Sequence, residues 1–134
     1  MDKVKLSKFK FQYSLNSRWK DLDAFGHVNN STYLTYFEDA RIELFNRWRL
    51  NKANKSLIVA SIKIDYYRQI LHPASFIIGQ NIKSIGNKSF DLESVLFDEN
   101  GIDKIAKAII TCVCFNYKLN KTELVYPEII ADLN

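Results

Sequence analysis

The sequence predicts an α+β architecture in which a curved antiparallel sheet of five strands packs against one long helix. Three observations predict it. The hydrophobic period changes from two to between three and four and then back to two, so one helix is set among strands. Four strand-like segments follow that helix with no crossover helix between them, which excludes a doubly wound parallel sheet. The turns between the last strands are short and rich in Gly and Asn, so those strands should run antiparallel.

Each element has its own signal. Phe9, Phe11, Tyr13 and Leu15 alternate with Lys10, Gln12 and Ser14, the period of a half-buried first strand. From Asn30 to Arg49, Tyr33, Phe37, Ala40, Leu44 and Trp48 recur every three or four residues, broadened by Leu34, Tyr36 and Phe45; this stripe predicts a helix about 30 Å long. Residues 57 to 68, 75 to 85, 88 to 98 and 104 to 117 are rich in Ile, Val, Phe and Tyr and read as strands. His72-Pro73 marks the turn after the first of them. Gly86-Asn87 and Asn100-Gly101 suit the positive φ of hairpin turns and join the last three into a meander. Lys118 to Asn134 carries weak periodicity and reads as a tail with a short turn of helix.

The 134 residues fit a single domain over 1–134. The chain is 47% hydrophobic and 25% charged, with four Gly and two Pro, a globular composition that argues against disorder. Its first residues interrupt every apolar side chain with charge, unlike a secretory signal, and no run reaches the ~20 apolar residues of a membrane span. A soluble, cytoplasmic protein without membrane partners is expected. The net charge is +4, with lysines spread along the chain; no nucleic-acid motif accompanies them. Cys112 and Cys114 alternate on one strand face and read as small buried residues. With His27 and His72 the only histidines, neither a metal nor a cofactor is expected.

Residues 19 to 30, W-K-D-L-D-A-F-G-H-V-N-N, concentrate polar groups before the helix. Asn29 or Asn30 serves as a helix cap, with the aspartates favouring the positive helix end. That reading leaves Gly26, His27 and the second aspartate without a purpose. A functional reading uses the same physics. The first amides of a helix lack internal acceptors, so one can donate to a carbonyl oxygen that gains negative charge, while an upstream carboxylate faces the same carbon. Gly26 would let the loop turn sharply and let substrate approach the backbone.

Residues 18 to 41, R-W-K-D-L-D-A-F-G-H-V-N-N-S-T-Y-L-T-Y-F-E-D-A-R, resemble the signature of hotdog-fold acyl-CoA thioesterases of the 4-hydroxybenzoyl-CoA thioesterase family. The likeness continues through Ile64-Asp65-Tyr66-Tyr67-Arg68, the turn Gly86-Asn87-Lys88-Ser89 and the strand from Ala108 to Tyr117. It implies the hotdog fold, with Asp23 as the catalytic carboxylate, Asp21 in support and the Asn30 backbone amide polarising the thioester carbonyl. His27 would move protons or hydrogen-bond the loop. Gly26, Val28, Asn29, Tyr33, Tyr67 and Arg68 are the expected substrate-binding residues, although Arg68 at a strand end also suits plain solvation of the sheet edge. The resemblance further implies an acyl-CoA substrate and a homodimer or a homotetramer built from two dimers.

Residues 69 to 75 and the ending from Tyr117 to Lys121 depart from the family pattern and leave substrate preference open. Glu38 and Arg41, three apart on the helix, read as an ion pair. Asp23 acts either as a general base toward water or as a nucleophile forming a mixed anhydride. A phosphatase built on D-x-D lacks its parallel sheet here, and a serine hydrolase lacks G-x-S-x-G. Acyl-carrier-protein thioesterase, hotdog dehydratase and a non-hydrolytic acyl-thioester binding protein stand as alternatives.

Overall fold

The structure, a computed structural model, describes residues 5–52 and 54–133. Its elements run in the expected order: β1 (Phe11–Asn16), α1 (Thr32–Arg47), β2 (Lys55–Tyr66), β3 (Ser75–Ile85), β4 (Ser89–Asp98) and β5 (Lys104–Asn116). A two-residue β6 (Lys121–Thr122) and a one-turn α2 (Pro127–Ile130) complete the chain. Every pairing is antiparallel, in the spatial order β1-β3-β4-β5-β2, with β6 beside β5. β1 and β2 therefore occupy opposite edges, and the chain between them crosses four strand spacings, about 19 Å. α1 makes this crossing inside the curve of the sheet, which is the hotdog fold.

Pleating decides what faces the helix. Ala106, Ala108, Ile110, Cys112 and Cys114 of β5 are all fully buried on one face, beside Phe90 and Leu92 of β4 and Phe76 and Ile78 of β3. Tyr33, Tyr36, Phe37, Ala40 and Leu44 of α1 pack against them. Burial pushes the Cys112 thiol up to about 11 against the pull of the Arg41 charge, so both cysteines are packing groups as expected, free and buried. One polar link crosses this core: Gln80 Nε2 donates to the Ala40 carbonyl at 3.0 Å and Ser94 Oγ donates to Gln80 Oε1 at 3.1 Å, which satisfies groups that burial would otherwise penalise. On the outer face Phe9, Val95 and Phe97 form a smaller cluster. Phe9 lies so close to Gly79 that an added Cβ would sit 2.6 Å from its ring.

Three boundaries differ from expectation. The helix is shorter at both ends, because Asn30 and Ser31 form a turn and Trp48 ends the ladder. β2 stops at Tyr66, so Tyr67 and Arg68 lie just beyond the strand, where their amides turn toward the Ile105 carbonyl. The tail docks rather than trails: Val125, Tyr126 and Ile129 join the core. Asp132 accepts from Arg47 Nε at 2.8 Å and from Trp48 Nε1 at 2.8 Å. Among the described residues no helix is long and apolar enough to cross a membrane.

Candidate active site

The loop between β1 and α1 is a miniature hairpin. Leu22 bridges Val28, Asp23 N–H donates to the His27 carbonyl at 2.7 Å, and Asn29 N–H donates to the Asp21 carbonyl at 2.8 Å. Gly26 takes φ of 80° at its tip, a left-handed conformation that glycine adopts without cost. No atom lies within 4 Å of where its Cβ would be, so the turn rather than crowding demands glycine. The hairpin leans on the β2–β3 connection: Val28 N–H donates to the Ile70 carbonyl at 2.8 Å, and His27 bridges Leu71. The segment that departs from the family pattern thus supports the loop.

The two aspartates part within this loop, because residues 19 to 21 form a tight turn before the extended leg begins. Asp21 is 2% exposed. It accepts from Tyr36 Oη at 2.6 Å, Arg18 N at 2.8 Å, Arg18 Nε at 3.1 Å and Arg18 Nη2 at 3.0 Å. Burial alone would raise its pKa, but the hydrogen bonds from Tyr36 and Arg18 outweigh that and hold it below the ordinary carboxylate value. Tyr36 is driven the other way, by burial and then by its bond to Asp21. Asp21 is therefore an anchor between loop and helix.

Asp23 is half-buried. Its Oδ1 accepts from the amides of Phe25 at 2.8 Å and His27 at 3.1 Å, which fixes the side chain. Its Oδ2 has no hydrogen-bond partner among the described residues. A carboxylate so held keeps its other oxygen free to act as a base or nucleophile.

At the other end of the loop, Asn29 braces the turn that leads into α1: its Oδ1 accepts from Ser31 N at 3.1 Å and Ser31 Oγ at 3.0 Å, and its carbonyl accepts from Thr32 N at 2.9 Å. The capping position itself falls on Ser31, without a side-chain cap bond, rather than on Asn29 or Asn30 as expected, because α1 starts only at Thr32. Asn30 lies in this turn, immediately before the capping residue, where its amide has no acceptor in the helix. Its N–H has no partner among the described residues. The Asn30 carbonyl accepts from the Tyr66 hydroxyl at 3.2 Å.

The other expected site residues divide. Gly26, His27 and Asn29 belong to the loop, whereas Val28 and Tyr33 are buried beneath it in the core. Tyr67 is exposed, its ring facing Lys104 Nζ at 5.1 Å. Arg68 approaches Asp103 at 3.8 Å and lines a cavity of about 770 Å³ with Ser17, Gln69, Leu71 and Asp98. None of Asp23, His27 and Asn30 lines that cavity. Glu38 and Arg41 form the expected pair at 3.9 Å; Arg41 Nη1 is buried without an acceptor among the described residues. No group of three metal-ligating side chains occurs among those residues. Reading the sequence missed Tyr36 and Tyr66, whose rings count as core or strand hydrophobes in any periodicity and whose hydroxyl partners lie 15 and 36 residues away.

Comparison with known proteins supplies the family. Residues 17–133 match the model of the Thioesterase-like superfamily. The chain is 31% identical to the long-chain acyl-CoA thioesterase FadM of Escherichia coli over 115 residues, 82% of this chain and 86% of that protein. It is 33% identical to the uncharacterized protein YsmA of Bacillus subtilis over 88 residues, 64% of this chain but only 60% of the length of that relative. Among solved structures it resembles a thioesterase of Thermus thermophilus complexed with coenzyme A and Zn, with a TM-score of 0.80 and 28% identity, covering 94% of this chain and 98% of that one. The fold, the loop signature and these likenesses agree, and the chain belongs to the Thioesterase-like superfamily.

Proposed function

We propose that the protein hydrolyses acyl-CoA thioesters to the free acid and coenzyme A, with Asp23 as general base or nucleophile. One observation carries this reading: a single hydrogen-bonded loop bears both a carboxylate oxygen and a backbone amide that lack partners among the described residues. The Asn30 N–H donates to the thioester oxygen and stabilises it as the carbonyl carbon is attacked. In the base route Asp23 takes a proton from water, the water oxygen bonds to the carbonyl carbon, the C–S bond breaks and the thiolate leaves. In the nucleophile route the Asp23 oxygen bonds to that carbon and expels the thiolate, and water then cleaves the anhydride. His27, beside the tip of the same hairpin, hydrogen-bonds the thioester region; Gly26 and Asn29 shape the approach on the loop, Val28 and Tyr33 support it from beneath, and Tyr67 and Arg68 bind beyond the end of β2. The FadM likeness supports acyl-CoA as substrate, and the coenzyme A complex of the Thermus relative supports coenzyme A as the thiol.

A second copy of the chain completes the proposal. β2 is an open edge along which Ile58, Val59, Ile62 and Tyr66 are exposed, and Leu34 and Ile42 are exposed on α1. Pairing through this edge would bury them and satisfy its free backbone groups, as a dimer or a pair of dimers. A cytoplasmic setting suits such a reaction.

The test mixes the protein with short, long and aromatic acyl-CoAs and follows free thiol. Asp23→Asn keeps the shape and removes the charge, so turnover should fall at least ~100-fold. Equal rates in both proteins would refute the assignment. Single-turnover hydrolysis in ¹⁸O water separates the routes, since only the anhydride path can leave label in the aspartate.

A further inference from the structure

We infer that Tyr66 is a positioning residue for the Asn30 amide, holding the turn that leads into α1 against β2; this rests on the reading of Asn30 as the donor to the thioester carbonyl. The Asn30 N–H belongs to the peptide whose carbonyl, on Asn29, accepts from Thr32 N at 2.9 Å, a bond that polarises the N–H. Direction is the harder requirement, because helix ends fray and Asn30 is exposed.

Two anchors act upstream of the amide. Asn29 N–H is bonded to the Asp21 carbonyl at 2.8 Å, and the Asn29 side chain closes the turn by accepting from Ser31 N at 3.1 Å. Downstream, Leu34 N–H donates to the Ser31 carbonyl at 3.2 Å. The Asn30 carbonyl takes its bond from outside the helix, the Tyr66 hydroxyl at 3.2 Å. That bond ties the turn to the sheet.

Tyr66 is itself well placed to hold it. It is the last residue of β2, paired with Ala106 of β5. Its ring meets the buried Tyr33 edge to face, with centroids 5.0 Å apart and planes at 79°. Tyr33 stands three residues beyond Asn30, at the start of α1. The ring and the hydroxyl thus grip one helix end at two points, and the side chain is 46% exposed, so its hydroxyl can be removed without opening the core.

Tyr66→Phe keeps the ring contact and deletes the hydroxyl. With acyl-CoAs as substrate, kcat should fall about 10-fold, less than the ~10² to 10³ of losing an oxyanion donor outright. KM should stay within about twofold, because a group that acts mainly in the transition state leaves ground-state binding intact. In parallel, ¹⁵N relaxation should show the order parameters of Asn30 and Ser31 dropping from the ~0.85 of rigid backbone, with the rest of α1 unchanged. Unchanged order parameters would overturn the inference whatever the rates. A loosened turn with unchanged kcat, in a protein that Asp23→Asn inactivates, would overturn the catalytic use of the clamp. Failure of the thioesterase reading looks different: the wild-type protein itself would then release no thiol from any acyl-CoA, and the catalytic use of Tyr66 would fall with it.

Discussion

Asp21 and Asp23 differ by two positions and by almost everything else. On an extended hairpin leg a spacing of two would put both side chains on one face, but residues 19 to 21 form a single tight turn, and this rotates Asp21 inward before the leg begins. There it meets Tyr36 and Arg18. Removing the Tyr36 hydroxyl leaves a buried carboxylate short of a donor, at a cost of about 1–3 kcal/mol. Tyr36→Phe should therefore lower the urea midpoint at pH 7. The folded-state pKa of Asp21 is depressed, so its stabilisation is present above the unfolded value of ~3.9 and is lost as pH falls through the folded one. The difference between wild type and Tyr36→Phe should shrink below about pH 4; a constant difference down to pH 3 would mean that the hydroxyl acts on packing rather than on the charge.

At the scale of elements, β2 is the one whose sequence and surroundings disagree. Ile62 pairs with Ile110 across β5, and Ile110 is fully buried on the concave face. Ile62 is nevertheless 37% exposed, because among the described residues no strand pairs with the outer edge of β2. An apolar residue on an open edge is a site for association, and a stable interface of about 800 Å² per partner is within reach of a strand of this length beside a helix. Wild-type protein should run as a dimer or tetramer in light scattering, and Ile62→Asp should shift it toward the monomer. A monomeric wild type, or a variant of unaltered mass, would remove β2 as the interface. Such short-range features as the places of the hairpin turns were legible in the sequence, since the residues that make them are neighbours, although Gly101 takes the expected positive φ and Gly86-Asn87 does not, and the helix cap falls on Ser31 rather than Asn29. Edge and centre were not, since strand order depends on which segments pair.

Across the whole molecule the chain closes on itself through Asp132. It accepts from Arg47 Nε at 2.8 Å and Nη2 at 3.0 Å, from Trp48 Nε1 at 2.8 Å and from Lys10 Nζ at 3.1 Å, binding the tail to the end of α1 and the approach to β1. The hydrogen bonds from Arg47 depress its pKa, burial opposes them, and Trp48 and Lys10 add to the depression. Its contribution follows the same sign: present above ~3.9, lost progressively as pH falls below it. Asp132→Asn should unfold at lower urea than wild type at pH 7, with the two curves converging as pH falls toward 3. Convergence on raising pH instead would assign the stability to another group. Weak periodicity made the tail look loose in the sequence, because its contacts reach back more than 80 residues.

By itself the sequence determined the alternation of strands, the single amphipathic helix, the turns and the crowded loop before the helix, because each of these is set by residues a few positions apart. Tertiary structure alone decided which aspartate keeps a free oxygen, which helix amide goes unpaired and which strand is left at the edge. Those outcomes depend on partners such as Arg18, Tyr36, Ile70 and Tyr66 arriving from other elements, and burial and hydrogen-bond competition are properties of the assembled fold.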